Sequence, residues 1–427
     1  MNKWITGLFV AALATGSAIA DVGAPAPSAK DLTKQVEKVN YIECDIPGVK
    51  LNGYVDVGYI YNFTGAGRVA TRQGAGSNLA GDGIKSGDFN VNAVKLTLEK
   101  SLSDKNELQA GFRVDGILGE DANTFAGSNT GGEGYVGASA LLVEQAYVVV
   151  RAPWGNGVDF KLGKQVTWLG YEVIERPSNL NITYGNLFVN AIPLYGTGFS
   201  AETKFTDLLD GGIKIVNGDA NRSDSNIGFD TNNDGYAIEA KLNLKNKGGN
   251  ANWQNSIYYT WDSSGNFAGD NCSALIWDSW GNWAPKFAND KLLLGFNTDL
   301  GDSVVNSAAA AGASATNRDT TWFGVAGYAK YKFTDIFSLA ARGDYLHGSD
   351  PAKWASYNNG ASTTDGRNQD LWSGTLTAAF DVVENLVIRA EYRFDLANNV
   401  DQGVQNKGSN VVSDVAHTVA IQAVYTF

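Results

Sequence analysis

The sequence predicts an all-β protein, a transmembrane antiparallel up-and-down β-barrel of about 16 strands. Three observations predict it: apolar and polar residues alternate from Val49 onward, short turns alternate with long loops, and the last strand ends in Phe427. The composition agrees, because 50 Gly, 18 Tyr and 19 Phe with a single Met are typical of strands and turns rather than helices.

Residues 1–20 have the features of a secretory signal peptide. Lys3 gives the positively charged start, an apolar stretch runs from Trp4 to Leu13, and small residues at 18–20 form a cleavage site. The apolar stretch is too short to cross a bilayer, which makes an N-terminal anchor the weaker interpretation. We therefore predict an exported chain whose mature form starts at Asp21.

Residues 21–48 differ from the rest of the chain. They begin with a proline-containing linker, and Leu32, Val36 and Val39 follow at helical spacing. Two interpretations stay open for this segment: a short periplasmic helix or plug of the lumen, and a mobile tail.

Residues 49–427 are predicted to form the barrel as one domain. The sixteen predicted strands lie near 50–63, 89–100, 107–118, 140–152, 157–168, 196–205, 211–218, 235–244, 251–262, 272–284, 291–300, 320–333, 337–347, 368–380, 386–396 and 413–427. Short turns and long loops rich in Gly, Ser and Asn alternate between them. Periplasmic turns of outer-membrane barrels are short and extracellular loops are long, which fixes the predicted orientation. The even strand number brings both chain ends to the periplasm.

Residue parity assigns a face to each side chain of a strand. In the last strand Ile421, Tyr425 and Phe427 share one face, where their rings would belong to the aromatic girdle at the membrane interface. The terminal Phe427 resembles the signal that the barrel-assembly machinery reads, so we expect that machinery and outer-membrane lipid as partners. A soluble β-sandwich is the alternative, but it does not explain the alternating loop lengths.

Charged residues fall on the opposite face of the predicted strands. Arg or Lys on the lipid face at the midplane costs about 2–4 kcal/mol, so these side chains are expected to face the lumen. The predicted pore-lining residues are Arg113, Asp115, Glu202, Lys204, Glu239, Lys241, Lys330, Lys332, Arg342, Asp344, Arg389, Glu391, Arg393 and Asp395. About sixteen strands enclose an aqueous channel. For any single residue, a structural cross-strand ion pair is an equally good interpretation.

The third long loop, at about 169–195, is more apolar than the others. Leucine, isoleucine and aromatic residues are out of place on a wet outer surface, so we expect the loop to fold inward and narrow the channel. Glu172, Glu175 and Arg176 would then form the pore constriction, as rings of charged side chains do in other pores. A lid or a subunit-contact loop is the alternative.

The sequence favours neither an enzyme nor a cofactor or metal site. His347 and His417 are its two histidines, and it holds no cysteine–histidine cluster for zinc or haem. Ser413 shares the parity of His417, but no orienting partner for a catalytic base can be assigned. The net charge of −12 argues against nucleic acid as a partner.

Two weaker features stay open. Cys44 and Cys272 fall at opposite ends of the predicted barrel, which favours free thiols, although export would permit a disulfide. Residues 230–235 begin like a calcium loop, but the twelfth position is Lys241 and a strand follows. A looser surface calcium site therefore stands beside the simpler interpretation, a polar turn.

Residues 164–179 resemble the signature segment of the OmpL-like putative β-barrel porin family. Residues 191–198 are similar to its continuation, and residues 389–393 also match. The resemblance extends over roughly Gly53 to Phe427 and implies a bacterial outer-membrane porin-like barrel without catalytic residues.

Two functions are compatible with these features. The first is a water-filled channel for passive diffusion of small hydrophilic solutes and ions, and the alternative is a structural or adhesive barrel with an occluded lumen. A homotrimer is an analogy with other large porins at the level of the fold. Ion preference stays open, because the acidic surplus favours cations while Arg113, Arg342, Arg389 and Arg393 favour anions inside.

Overall fold

The computed structural model describes residues 42–43, 48–63, 87–126, 141–217, 236–263, 271–307, 316–349, 369–398 and 415–427. The predicted signal peptide 1–20, most of residues 21–48 with Cys44, and the candidate calcium loop 230–235 lie outside these residues. The side chain of Cys272 also lies outside the description. The expectations for these segments therefore stay predictions.

Sixteen antiparallel strands within the described residues form a closed barrel, and a further two-residue strand, Ile42–Glu43, pairs with the first of them. They are β1 Val49–Asn62, β2 Asp88–Lys100, β3 Gln109–Leu118, β4 Leu141–Ala152, β5 Val158–Val166, β6 Tyr195–Thr206, β7 Leu209–Asn217, β8 Tyr236–Lys245, β9 Ala251–Ser263, β10 Asn271–Trp283, β11 Leu292–Ser307, β12 Thr316–Lys332, β13 Phe337–Gly348, β14 Gln369–Val383, β15 Leu386–Asn398 and β16 Val415–Thr426. Each strand pairs with the next along the chain. The predicted fold class is confirmed, and every predicted strand corresponds to an observed one.

The first and last strands close the ring. β16 pairs with β1 from Thr418 opposite Asn62 to Thr426 opposite Tyr54. Beyond this ladder, the Gly53 amide donates to the Phe427 carbonyl and the Phe427 amide donates to the Gly53 carbonyl, both at 3.0 Å. The closed ladder satisfies the backbone polar groups that an open sheet edge would leave unpaired in lipid.

The outer surface of the barrel is apolar and carries an aromatic row at the short-turn end. Tyr331, Phe333, Phe337 and Phe380 form successive ring contacts with centroid distances of 4.8, 5.6 and 5.0 Å. The rings cross the ends of three neighbouring strands, β12 to β14. Such a row is the aromatic girdle that outer-membrane barrels place at a membrane interface.

Short helices interrupt the strand pattern at a few points. α1 spans Glu120–Ala126 after β3, and α2 spans Asn186–Asn190 between β5 and β6. Single 3-10 turns occupy Arg176–Ser178 and Lys286–Ala288. Among the described residues, no helix has the length and apolar character needed to span a membrane.

Candidate functional site

The connection between β5 and β6, residues 167–194, lies inside the barrel; we call it the inner loop. Hydrogen bonds from this loop reach several wall strands. The Thr167 hydroxyl donates to Glu239 of β8, and the Tyr171 amide donates to Asn297 of β11, both at 3.0 Å. The Asn181 side chain donates to Thr377 of β14, and the Asn186 side chain donates to Asp344 of β13, both at 2.7 Å. Because these strands lie on different parts of the ring, the loop extends across the lumen.

Local sequence features give the inner loop its shape. Gly170 adopts a left-handed backbone with φ of 91°, and a Cβ at this position would lie 2.4 Å from Ile192 Cδ1, so glycine fits both requirements. Further along, the Asn179 side chain accepts from the Val173 amide at 3.0 Å and donates to the Val173 carbonyl at 2.6 Å. Two side-chain bonds thus close the first turn of the loop against itself.

Apolar packing holds the inner loop against one side of the wall. Tyr171 stacks on Tyr328 of β12 with a centroid distance of 4.2 Å and meets Trp280 of β10 edge-on at 6.1 Å. Tyr184 and Phe188 stack on each other at 4.4 Å within the same buried cluster. The apolar residues that marked this loop in the sequence therefore pack inside the barrel.

Glu172 connects the inner loop to β13. Its carboxylate accepts from Arg342 Nη1 at 2.6 Å and from the Gly185 amide at 2.6 Å. Burial raises the pKa of the Glu172 carboxyl, and the neighbouring Arg342 guanidinium opposes that rise. Glu172 thus links the inner loop to β13 through Arg342, and to a later part of the same loop through Gly185.

Glu175 meets a lysine that the sequence analysis did not single out. Lys95 Nζ on β2 lies 2.5 Å from Glu175, 2.7 Å from Glu144 and 3.4 Å from Asp115. The three carboxylates offer oxygen atoms within 4.8 Å of one another, a spacing that would suit a metal ion. The Lys95 ammonium takes the central position here, so the cluster acts as an anchor for the loop.

Arg176 reaches out of the inner loop to α1. Its guanidinium donates twice to Asp121, at 2.7 Å each, and once to the Ile182 carbonyl at 2.8 Å. It also lies 3.9 Å from the centre of the Tyr184 ring. Strand alternation carries no signal for Asp121, because this residue belongs to a helix after β3.

Wall residues of β13 and β15 bind the backbone of the inner loop. Arg389 donates to the carbonyls of Asn179 and Arg176 at 2.7 and 2.8 Å, Arg342 donates to the Thr183 carbonyl at 2.6 Å, and Arg393 donates to the Tyr184 carbonyl. Glu391 accepts from the amides of Ile182 and Thr183 at 2.5 and 3.0 Å and from the Thr183 hydroxyl at 2.6 Å. The guanidinium groups of the wall thus donate to loop carbonyls, and the Glu391 carboxylate accepts from loop amides.

The structure places the predicted pore-lining residues on inward faces, but their environments differ. Arg113, Asp115, Glu239, Arg342, Asp344, Arg389, Glu391, Arg393 and Asp395 are buried. These nine contact the inner loop or neighbouring wall residues, in line with the interpretation as structural ion pairs, and their role as pore-lining residues stays a prediction. Glu202, Lys204, Lys241, Lys330 and Lys332 are only partly buried.

Both histidines lie outside the lumen. His347 Nδ1 is 2.8 Å from Asp370 Oδ1, and the same oxygen accepts from the Tyr345 hydroxyl at 2.7 Å. His417 Nδ1 is 2.7 Å from the Tyr392 hydroxyl. Ser413, the candidate partner of His417, lies outside the described residues.

Comparison with known proteins relates this barrel to outer-membrane porins. The family model described as "putative beta-barrel porin-2, OmpL-like" matches residues 48–427. The chain belongs to this family. No curated protein matches the sequence. The family and the fold place this OmpL-like barrel in the bacterial outer membrane.

Solved structures with the same fold include three outer-membrane proteins. The outer-membrane channel DcaP of Acinetobacter baumannii has 13% identity and a TM-score of 0.56, covering 89% of this chain and 97% of its own. An anion-selective porin from Comamonas acidovorans has 12% identity and a TM-score of 0.55, covering 89% and 99%. OmpT of Vibrio cholerae has 11% identity and a TM-score of 0.55, covering 91% and 100%. At these identities the likeness concerns the fold.

Proposed function

We propose that this OmpL-like barrel is a porin that passes small hydrophilic solutes and ions by passive diffusion, and that it is not an enzyme. The family and its fold support a porin-type barrel. The described strands carry buried charged side chains of both signs on the inner wall. Charge in a lumen suits water and polar solutes more than apolar ones.

The observation that carries this proposal is the rigid anchoring of the inner loop. Glu172, Glu175 and Arg176 each make buried ionic contacts, to β13, β2 and α1. A loop held at several points across the lumen narrows a passage to a fixed width, as a diffusion channel requires. These three residues are therefore our proposed constriction.

Planar bilayer recording tests the proposal. Purified protein should produce stepwise ion conductance with a current proportional to voltage, because a diffusion channel needs no energy source. The steps should be small for a sixteen-stranded barrel, since the inner loop crosses the lumen. A matched variant in which a short Gly-Ser linker replaces residues 171–192 should give larger steps. Inserted wild-type protein that never conducts would contradict the proposal.

A second candidate function, a structural or adhesive barrel with an occluded lumen, has one observation in its favour. Each of the sixteen strands contributes a buried inward side chain: Asp56, Lys95, Arg113, Glu144, Lys164, Ser200, Lys214, Glu239, Ser256, Asp278, Asp299, Tyr328, Arg342, Thr377, Arg393 and Gln422. Buried inward side chains thus occur on every strand around the barrel, as a filled lumen requires.

Deletion of residues 21–47 separates the two candidates. For a porin, we expect the conductance of the shortened protein to equal that of the full protein, because the inner loop sets the width. A full-length barrel that is silent and opens on this deletion would instead show that the N-terminal segment is a plug. Heat-modifiable migration in gels is the control that both proteins are folded.

Two partners complete the proposal. We propose a homotrimer on the analogy of other large porins, and native mass spectrometry in detergent tests it, since a single-chain mass would contradict it. We also propose that the barrel-assembly machinery recognises the strand that ends at Phe427. Slower outer-membrane insertion of a Phe427→Ala variant is the measurement, and insertion at the wild-type rate would argue against it.

A further inference from the structure

Two buried carboxyl groups face each other on neighbouring strands of the inner wall. Asp278 of β10 and Asp299 of β11 are direct cross-strand partners, and both residues are 0% exposed. Their carboxyl groups lie within hydrogen-bond reach of each other, and we call them the acid pair. The Gly170 amide of the inner loop donates to Asp278, so the acid pair belongs to the contact between the loop and the wall.

The donors around the acid pair are shared unevenly between its two members. Asp278 Oδ2 accepts from Asn297 Nδ2 at 2.6 Å. Asp278 Oδ1 and both carboxyl oxygens of Asp299 are buried and have no donor among the described residues. A buried acceptor without a donor keeps its full desolvation cost, and that cost is largest for a charged group. Asp278 is therefore placed to stay ionised, whereas nothing on the described strands favours an ionised Asp299.

The strands on either side of the acid pair bring no charge to it. Ser256 of β9 lies opposite Asp278, and its hydroxyl donates to an inner-loop carbonyl at 3.3 Å. Gly324 of β12 lies opposite Asp299, and Leu187 of the inner loop covers this glycine, because a Cβ there would lie 2.8 Å from Leu187 Cγ. The acid pair is thus enclosed by a hydroxyl that donates elsewhere and by an apolar side chain.

The titratable groups that face the acid pair from other elements are acidic or neutral. Glu239 of β8 adds a negative charge near Asp278, and Lys214 donates to Glu239 at 3.0 Å. Tyr171 of the inner loop brings a neutral hydroxyl, and its ring meets the ring of Trp280, two residues from Asp278 on β10. Among the described residues, neither carboxyl group of the pair has a cation as a partner. Only a proton can then relieve the repulsion between them.

We infer that Asp299 keeps a proton and donates it to Asp278 Oδ1, which makes the acid pair a pH-sensitive latch for the first turn of the inner loop. Two adjacent buried carboxylates share one proton because they cannot both ionise at low cost. The proton supplies the donor that Asp278 Oδ1 lacks. Asp278 then stays ionised and accepts from Gly170 and Asn297, while Asp299 acts as a positioning residue.

Asn297 carries the state of the latch to the inner loop. Its Nδ2 donates to Asp278, and its Oδ1 accepts from the Tyr171 amide at 3.0 Å. At alkaline pH the Asp299 proton leaves to the solvent, and two negative charges then lie directly opposite each other, which is destabilising. The repulsion turns Asp278 away from Gly170 and Asn297. The inner loop is then released at its first turn.

Infrared difference spectroscopy tests the shared proton without any ion flow. The spectrum of the full-length wild type in detergent minus that of Asp299→Asn should contain the carbonyl band of a protonated carboxyl group at neutral pH, and the band should vanish at alkaline pH. Asp302→Asn is the matched control, because Asp302 lies on the same strand with an exposed side chain and should give carboxylate bands only. Carboxylate bands alone for Asp299, as two ionised groups or a bound cation would give, overturn the inference.

Hydrogen exchange at the amides of Gly170 and Tyr171 tests the latch in the wild type itself. After correction for the chemical effect of pH, both amides should exchange about tenfold faster at alkaline than at neutral pH, since bonds that depend on a charged acceptor are lost. Asp299→Asn has an NH₂ group that can always donate to Asp278, so its two amides should show no such difference. A pH effect of equal size in Asp299→Asn contradicts the latch.

Bilayer recordings add a third readout, which rests on the proposed diffusion function. Wild-type conductance steps should become larger at alkaline pH, whereas those of Asp299→Asn should not. Steps that change equally with pH in both proteins would contradict the latch. A barrel that never conducts but shows the protonated-carboxyl band and the change in hydrogen exchange would support the latch while contradicting the proposed diffusion function.

Discussion

Replacement of Arg176 by alanine is expected to release the inner loop from α1 and to raise single-channel conductance. Arg176 is buried, its two bonds to Asp121 measure 2.7 Å each, and a third bond holds the Ile182 carbonyl. Removal of one partner of a buried ion pair costs about 3–5 kcal/mol, because the other charge stays buried without compensation. Limited proteolysis within residues 167–194 and planar bilayer recording measure the two effects.

Two further variants show whether the effect belongs to this pair. Asp121→Leu should weaken the loop in the same direction, and Arg176→Met/Asp121→Leu should cost less than the sum of the two single changes. Arg151→Ala is the matched control, since Arg151 forms an equally short double contact with Asp159, at 2.6 and 2.7 Å, between β4 and β5. If Arg151→Ala exposes the inner loop as much as Arg176→Ala, the anchoring role of Arg176 is wrong.

The second large effect is expected for Glu391→Gln. The carboxylate of Glu391 accepts from the amides of Ile182 and Thr183, and a glutamine NH₂ group would oppose one of those donors. Hydrogen bonds to charged groups contribute about 1.5–3 kcal/mol each. We expect larger and noisier conductance steps and faster hydrogen exchange at residues 181–184, measured by bilayer recording and mass spectrometry.

Tyr392→Phe is the control for Glu391→Gln. Tyr392 is the next residue of β15 and faces outward, so the strand is altered without any change at the inner loop. The control should conduct as the wild type does. Wild-type exchange rates at residues 181–184 in the Glu391→Gln protein would show that Glu391 does not hold the loop.

Strand alternation predicted the faces of β15 from the sequence. Tyr392 and Phe394 point to the membrane. The residues of opposite parity in the same strand, Arg389, Glu391 and Arg393, therefore point inward. Side chains alternate between the two faces of a strand, so the requirement that one face be apolar leaves a single assignment of side chains to faces. For the same reason the strand count and the turn positions could be read from the residues.

Alternation does not tell what lies opposite an inward side chain. It gave no reason to pair Arg176 with Asp121, or Glu175 with Lys95, because these contacts join a loop to a helix and to a strand. It also could not separate the fully buried Arg342 and Arg393, which bind the inner loop, from the partly exposed Lys241 and Lys245. Lys161 and Lys214 also have inward parity, so alternation alone is enough to assign both side chains to the inner face.

The bonds between the inner loop and β13 to β15 constrain the order in which the barrel is built. Asn181 and Thr377 are 196 positions apart, and Ile182 and Glu391 are 209 positions apart. Contacts of such long sequence separation form late, because the intervening chain must first be ordered. The inner loop therefore cannot reach its final place until the last quarter of the chain has joined the wall. The narrowing of the lumen is then a finishing step of assembly, and an unfinished barrel has the wider interior.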